Sequence, residues 1–242
     1  MTSSDYRLDR PRVVGVGSPK GGVGKSTLAV HLSTFAEQAG YRTLLMDADV
    51  NLTSYDWVMR TGDLLPISVD RQLSADVLMR LHEIRDFDVI LVDLPGARET
   101  EAWTALLRGG DTAGRLGLDA LVVPSKVETA DLRVVVRFLQ EVILPSKLPY
   151  LLVGTMIRTQ SVHVALQALN ELAADGLAVA RTPIRDLVVH SDAVTANRPI
   201  TAMPGGRHSN ARRAEAEYRA VAREVFAGLL SLPWPSSDET DR

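Results

Sequence analysis

The run Gly17-Ser18-Pro19-Lys20-Gly21-Gly22-Val23-Gly24-Lys25-Ser26-Thr27 joins a short apolar segment to a stretch of helical period. Glycines let successive backbone N–H groups turn toward one point, and the positive end of a helix behind them makes that point a seat for an anion. Lys25 supplies a cation for the β- and γ-phosphates of a nucleotide, and Ser26 a hydroxyl for Mg²⁺. A glycine-rich turn can also serve close packing alone, but packing does not require Lys-Ser at this offset. A dinucleotide fingerprint begun at Gly15-Val16-Gly17 fails at its sixth position, which is Lys20.

Carboxylates are the second ingredient of phosphoryl chemistry, because a hydrated metal and an attacking water both need acceptors. Asp47 and Asp49 follow the apolar run Thr43-Leu44-Leu45-Met46, and Asp93 follows Val89-Ile90-Leu91-Val92. By position Asp93 is the acid that holds Mg²⁺ through water. Asp47 and Asp49 lie two apart, so a strand continuing through them would point both the same way. Either could instead cap the segment that starts near Thr53.

These residues need a scaffold that gathers strand ends. Short, continuously apolar runs (Val13–Val16, Thr43–Met46, Val89–Val92, Leu121–Val123, Leu151–Val153) alternate with helical stretches and suit strands buried on both faces. Leu28, Leu32, Phe35, Ala36 and Ala39 fall on one side of a helix closed by Gly40. The expected fold is α/β: a mainly parallel, twisted sheet with helices on both faces, binding its ligand outside the carboxyl ends of the strands. The stretch from Thr61 to Arg71 carries no clear period, and Gly109 to Gly117 reads as a loop.

The length of 242 residues suits one domain, expected over 12–232, after a flexible lead-in of 1–11 and before a disordered tail of 233–242 rich in Pro, Ser and acid. No apolar run is long enough to span a membrane and the start lacks a secretory pattern, so the expected compartment is the cytoplasm. Cysteine is absent, which removes the thiolate ligands of an iron–sulfur cluster. The net charge of −3 says little, but the end of the chain is locally basic: Arg198, Arg207, Arg212, Arg213 and Arg219 stand against Glu215 and Glu217. Such arginines can meet DNA phosphates without reading bases, or simply form a solvated face.

The strict Walker A pattern fails because Pro19 stands where its first glycine belongs, while Lys20 follows directly. On Lys20 through Ser26 the sequence resembles the ParA/MinD family of deviant Walker A ATPases, whose signature is K-G-G-x-G-K-[ST]. The likeness continues through Met46-Asp47-Ala48-Asp49, Val92-Asp93-Leu94-Pro95-Gly96 and the region Ser191 to Arg219, which looks like small ParA-type partition proteins. The resemblance implies a P-loop NTPase-like fold and a weak ATPase using ATP and Mg²⁺. Lys20, Gly21, Gly22, Val23, Gly24, Lys25, Ser26 and Thr27 would hold the nucleotide, with Arg158 at the adenine.

In that pattern Ser26, Asp47 and Asp93 serve the metal and Asp49 orients the attacking water. Lys20 reaches the phosphates of a second subunit. Implied partners are a second copy in an ATP-dependent homodimer, non-specific DNA through Arg198, Arg207, Arg212 and Arg213 at the nucleoid, and an activating ParB-like or cargo-adaptor protein. Val50-Asn51 replaces the Pro-Gln common after the second aspartate, a departure at the switch. A MinD-like membrane regulator would need a basic amphipathic C-terminal helix, whereas this end is Pro-broken and acidic. A positioning ATPase that does not bind the nucleoid is the other alternative, and no motif of a metabolic ligase or kinase is present.

Overall fold

The computed structural model describes residues 7–96, 100–108, 116–206 and 209–235. Its elements in order are β1 (Arg12–Val16), α1 (Lys25–Gln38), β2 (Thr43–Asp47), α2 (Thr53–Thr61), β3 (Ser68–Arg71), α3 (Ala75–Leu78), β4 (Val89–Asp93) and α4 (Glu101–Arg108). Then follow β5 (Ala120–Lys126), α5 (Thr129–Phe138), α6 (Leu144–Ser146), β6 (Tyr150–Thr155), α7 (Val162–Ala174), α8 (Val189–Thr195) and α9 (Asn210–Arg223). The six strands form one sheet in the order β3-β2-β4-β1-β5-β6, with every pairing parallel.

Alternation along the strands divides the core into two layers. Val14, Val16, Leu45, Leu91 and Val153 pack with α1, α2 and α9, while Val13, Met46, Ile90, Val92 and Val123 pack with α3, α4 and α5. This two-sided burial is why the strands read as unbroken apolar runs. The stretch that resisted reading contains β3, an edge strand paired only with β2, in which Val69 is the single apolar residue. The loop expected at Gly109 to Gly117 lies mostly outside the described residues.

Parallel connection puts the C-terminal ends of β1, β2 and β4 side by side, with Val16 opposite Asp93 and Asp93 opposite Asp47. Past β6 the chain returns along its edge, where Ala180 N–H donates to the Leu152 carbonyl at 2.8 Å and Ile184 N–H to that of Gly154 at 2.8 Å. At the opposite end Arg10 forms an ion pair with Asp119, so the last residues of the lead-in are tied to the sheet. Beyond the last helix, the Tyr41 hydroxyl donates to the Pro233 carbonyl and Trp234 stacks on Phe226 at 5.2 Å, inside the stretch expected as tail.

Candidate functional site: a phosphate cradle at the sheet edge

The turn between β1 and α1 uses its glycines for two different purposes. A Cβ on Gly17 would sit 2.5 Å from the Trp103 ring and one on Gly15 2.9 Å from Leu118, so these two permit close packing. Gly22 and Gly24 have φ of +66° and +81°, and a Cβ on either would point into open space, so their need is conformational. That division explains the false start of a dinucleotide motif at Gly15. The Thr155 hydroxyl donates to the Val23 carbonyl at 2.9 Å and anchors the turn to the end of β6. Lys25 Nζ lies 3.4 Å from the Lys20 carbonyl, a long contact. Lys20 itself is paired through Nζ with Asp131 Oδ1 at 3.0 Å, near the start of α5.

Asp93 is the electrostatic centre of the site. It is buried at the end of β4, and among the described residues neither carboxylate oxygen has a hydrogen-bond partner. Burial, reinforced by the nearby Asp47 charge, pushes its pKa up to about 7, although the Ser26 and Ser54 hydroxyls and the Lys25 ammonium favour the charged form. A buried, unpartnered carboxylate beside a serine hydroxyl fits a hard divalent cation with oxygen ligands such as Mg²⁺. Ser26 and Asp93 would hold it, and the cation would neutralise phosphate charge when bound.

Asp47 is brought beside Asp93 but is fully occupied. Its Oδ2 accepts from the Ser54 N–H at 3.0 Å, the Ser54 hydroxyl at 2.8 Å and the Tyr55 N–H at 3.0 Å, and its Oδ1 from the Asp49 N–H at 3.0 Å. This is the work of an acceptor at the N-terminus of α2, the alternative the sequence left open. Leu52, at the N-cap position of α2, is left-handed (φ +50°) and offers no side-chain cap, which leaves that duty to Asp47.

The expectation that Asp47 and Asp49 share one strand face is not met. β2 ends at Asp47 and the chain turns, so Asp49 Oδ1 accepts from the Asn51 backbone N–H at 3.0 Å and its amide at 2.8 Å. Asp49 instead lines a cavity of about 340 Å³ with Pro95 and Gly96. Gly96 faces the cradle, since a Cβ there would meet Lys25 Nζ at 3.3 Å.

A second cavity, about 220 Å³, opens from the cradle at Gly22, Gly24 and Thr27 and is walled by Met156, Arg185 and Tyr218 among others. Arg158, expected at the adenine, does not line it. Arg158 borders a separate cavity of about 150 Å³ with Lys126 and Glu128, because the chain turns at Met156 (φ +53°). Sequence reasoning does not place Arg185 here, and no motif marks it.

At the basic end, Arg198 and Arg213 are exposed and have no ion pair among the described residues, while Arg212 pairs with Glu215 at 2.6 Å. Glu215 also holds Arg219 at 2.9 Å, whose guanidinium lies 4.7 Å from the Phe35 ring centre. Arg207 lies outside the described residues.

A parallel sheet with a glycine cradle, a cradle lysine and a buried acid on the neighbouring strand defines a P-loop nucleotide-binding protein. More narrowly, the chain belongs to the CobQ/CobB/MinD/ParA nucleotide binding domain family, whose model matches residues 14–197. The family's ParA and MinD members are P-loop ATPases. The chain is 32% identical over 223 residues to Maintenance of carboxysome distribution protein A of Gloeobacter kilaueensis, covering 92% of this chain and 96% of that one. An ATP complex of Cyanothece McdA shares the fold with a TM-score of 0.64 at 17% identity, covering 94% of this chain and 99% of that one. MinD of Aquifex aeolicus does so with a TM-score of 0.68 at 19% identity, covering 93% and 98%. Among the described residues no helix is long and apolar enough to cross a membrane.

Proposed function

We propose that the chain is a ParA-type positioning ATPase: ATP with Mg²⁺ assembles a homodimer, the dimer holds non-specific DNA of the nucleoid, and an activating ParB-like or cargo-adaptor protein triggers hydrolysis and release. The observation that carries this reading is the pair of cradle lysines. Lys25 stands at the cradle, whereas the Lys20 ammonium is turned toward Asp131 near the start of α5, and in this reading the phosphates of a second subunit displace that carboxylate. The similarity to a carboxysome distribution protein supports a cargo-positioning role.

In this reading Lys25 and the backbone N–H groups of Gly21 to Thr27 take the phosphate charge. Asp49 orients the attacking water from the cavity it shares with Pro95 and Gly96. Turnover is far below the enzyme median of ~10 s⁻¹, as befits a timer completed by a partner. Asp47 contributes by fixing α2 and by its charge beside Asp93.

Lys25→Ala removes ATP binding by fluorescence titration, and Asp49→Ala accumulates an ATP-bound dimer with hydrolysis reduced at least ~100-fold. Lys20→Ala binds ATP and stays monomeric by sedimentation. Wild-type ATP affinity in Lys25→Ala would sink the nucleotide reading, and an ATP-dependent dimer in Lys20→Ala the cross-subunit one. The pairing of Arg212 and Arg219 with Glu215, which offsets one of their two charges, favours a second reading, a positioning ATPase whose surface is not the nucleoid. Absence of DNA binding at low salt, with ATP-dependent dimerisation intact, would select it.

A further inference from the structure

The chain leaves β4 at Asp93 and passes through Leu94 and Pro95 to Gly96, and a buried side chain of α4 holds this loop in place. Trp103 is that side chain. Its Nε1–H donates to the Pro95 carbonyl at 3.0 Å. The far edge of the same ring lies against the root of the cradle, since a Cβ on Gly17 would sit 2.5 Å from its Cζ2 and Cη2 atoms. The Phe138 ring of α5 meets it edge-on at 5.6 Å and completes its seat. One rigid indole therefore fixes the spacing between the turn that follows β1 and the peptide beyond the buried acid.

The Pro95 carbonyl and the Gly96 N–H belong to one peptide plane, and in a trans peptide they point in opposite directions. Holding the carbonyl on Trp103 thus turns the Gly96 N–H away from α4. Gly96 itself lies against the cradle, where a Cβ would stand 3.3 Å from Lys25 Nζ and 3.8 Å from the Gly21 nitrogen. Its N–H has no hydrogen-bond partner among the described residues. A backbone donor left unpaired beside an ammonium and a glycine turn suits an anion. Lys25 Nζ serves the β- and γ-phosphates and is the cradle atom closest to Gly96, so the terminal phosphate is the group this N–H can reach.

We propose that Trp103 is a positioning residue for ATP: by holding the Pro95 carbonyl it presents the Gly96 N–H to the terminal phosphate, so that the chain tells ATP from ADP on the β4 side of the cradle. This rests on the reading of the chain as an ATP-binding protein. Trp103 touches no reacting atom and works through the backbone alone. ADP has no group at that place and is bound without its help.

Calorimetric titration of the full chain, in Mg²⁺, with ADP and separately with the β,γ-imido analogue of ATP tests the assignment. Trp103→Phe keeps an aromatic ring beside Gly17 and Phe138 and removes the donor. It weakens the analogue by about tenfold, the worth of one oriented hydrogen bond to a charged group, and leaves ADP within about twofold. Replacing the Trp103 indole by benzothiophene, which has the same shape with sulfur in place of the N–H, gives the same split with the thermal melt of the wild type, and it carries the test should Trp103→Phe fail to fold. Unchanged affinity for the analogue in these variants overturns the proposal. Equal losses for ADP and the analogue overturn it too, since they would make Trp103 a packing residue for the whole cradle. Failure of the wild-type chain to bind either ligand overturns the nucleotide reading itself, and the assignment with it.

Discussion

His31 on α1 and Asp93 at the end of β4 are both buried, ionisable and close to the cradle, yet the fold treats them in opposite ways. His31 Nδ1 lies 2.6 Å from the Thr27 carbonyl, and its Nε2 accepts from the Ile200 N–H at 3.3 Å, so the neutral ring uses both nitrogens. Its plane stacks on Tyr218 at 4.4 Å and meets Trp57 edge-on at 5.5 Å. Asp93 has no hydrogen bond on either oxygen among the described residues. Buried polar groups are almost always paired. A satisfied one such as His31 ties α1 to the chain before α9, whereas an unsatisfied one such as Asp93 marks where the protein gives up stability for chemistry.

The contrast breaks most sharply at Asp93. Its pKa is raised from the ordinary 3.8 to about 7, chiefly by burial, so its contribution to stability is fully present below pH 3.8 and is lost as pH rises through 7. Without Mg²⁺, Asp93→Asn removes that loss and is the more stable protein at pH 8 in urea melts. The gain is bounded by the shift at on the order of 4 kcal/mol. ATP hydrolysis is abolished in the same variant, and added Mg²⁺ stabilises the wild type but not the variant. A variant less stable than wild type at pH 8 would show that the carboxylate holds the fold together.

His31 gives the opposite slope and a smaller amplitude. Burial lowers its pKa from 6.5 to about 4, so its contribution is present above pH 6.5 and is lost as pH falls through 4. The expected loss is about 3 kcal/mol across that window. His31→Gln, which keeps one donor and one acceptor, flattens the dependence in thermal melts from pH 6.5 to 4. An unchanged slope would assign the acid limb to other groups.

The same distinction governs what could be read from the sequence. The cradle was legible because its chemistry is local: glycines, Lys25 and Ser26 lie within one turn, and their residue types have few other uses. The buried strands were legible because two-sided burial leaves continuous apolar runs, and β3 was not, because Ser68–Arg71 lies at an edge with little to bury. The direction of the Asp49 side chain is not legible, since only the end of β2 at Asp47 shows that the chain turns there. Arg185 and Glu217 are 32 residues apart and meet only through the packing of α9 against the β6 edge, so no spacing announces them. The packing of Trp234 is hidden in the sequence for a related reason. Proline and serine mark the composition of this stretch, but the Phe226 face that receives Trp234 is a tertiary feature.

The smallest expected effect concerns the basic end, where paired and unpaired groups again stand side by side. Arg213 is exposed without an ion pair among the described residues, whereas Arg212 Nη1 is 2.6 Å from Glu215 Oε2. A phosphate must displace that carboxylate before it can use Arg212, and although Glu215 is buried the Arg212 side of the pair is exposed to solvent, so the handicap is real but small. Counterion release separates the two residues better than affinity does, because each phosphate contact adds ~0.9 to the slope of log K against log salt. With ATP present, anisotropy on an unrelated duplex between about 50 and 200 mM salt should show Arg213→Ala reducing the slope by ~0.9. Arg212→Ala should reduce it by less, since part of its charge is already answered by Glu215. Glu215→Gln provides the converse, steepening the slope by freeing Arg212 and Arg219 together. If Arg212→Ala costs more slope than Arg213→Ala, the ion pair does not restrain the phosphate contact, and pairing within α9 is no guide to which arginines meet DNA.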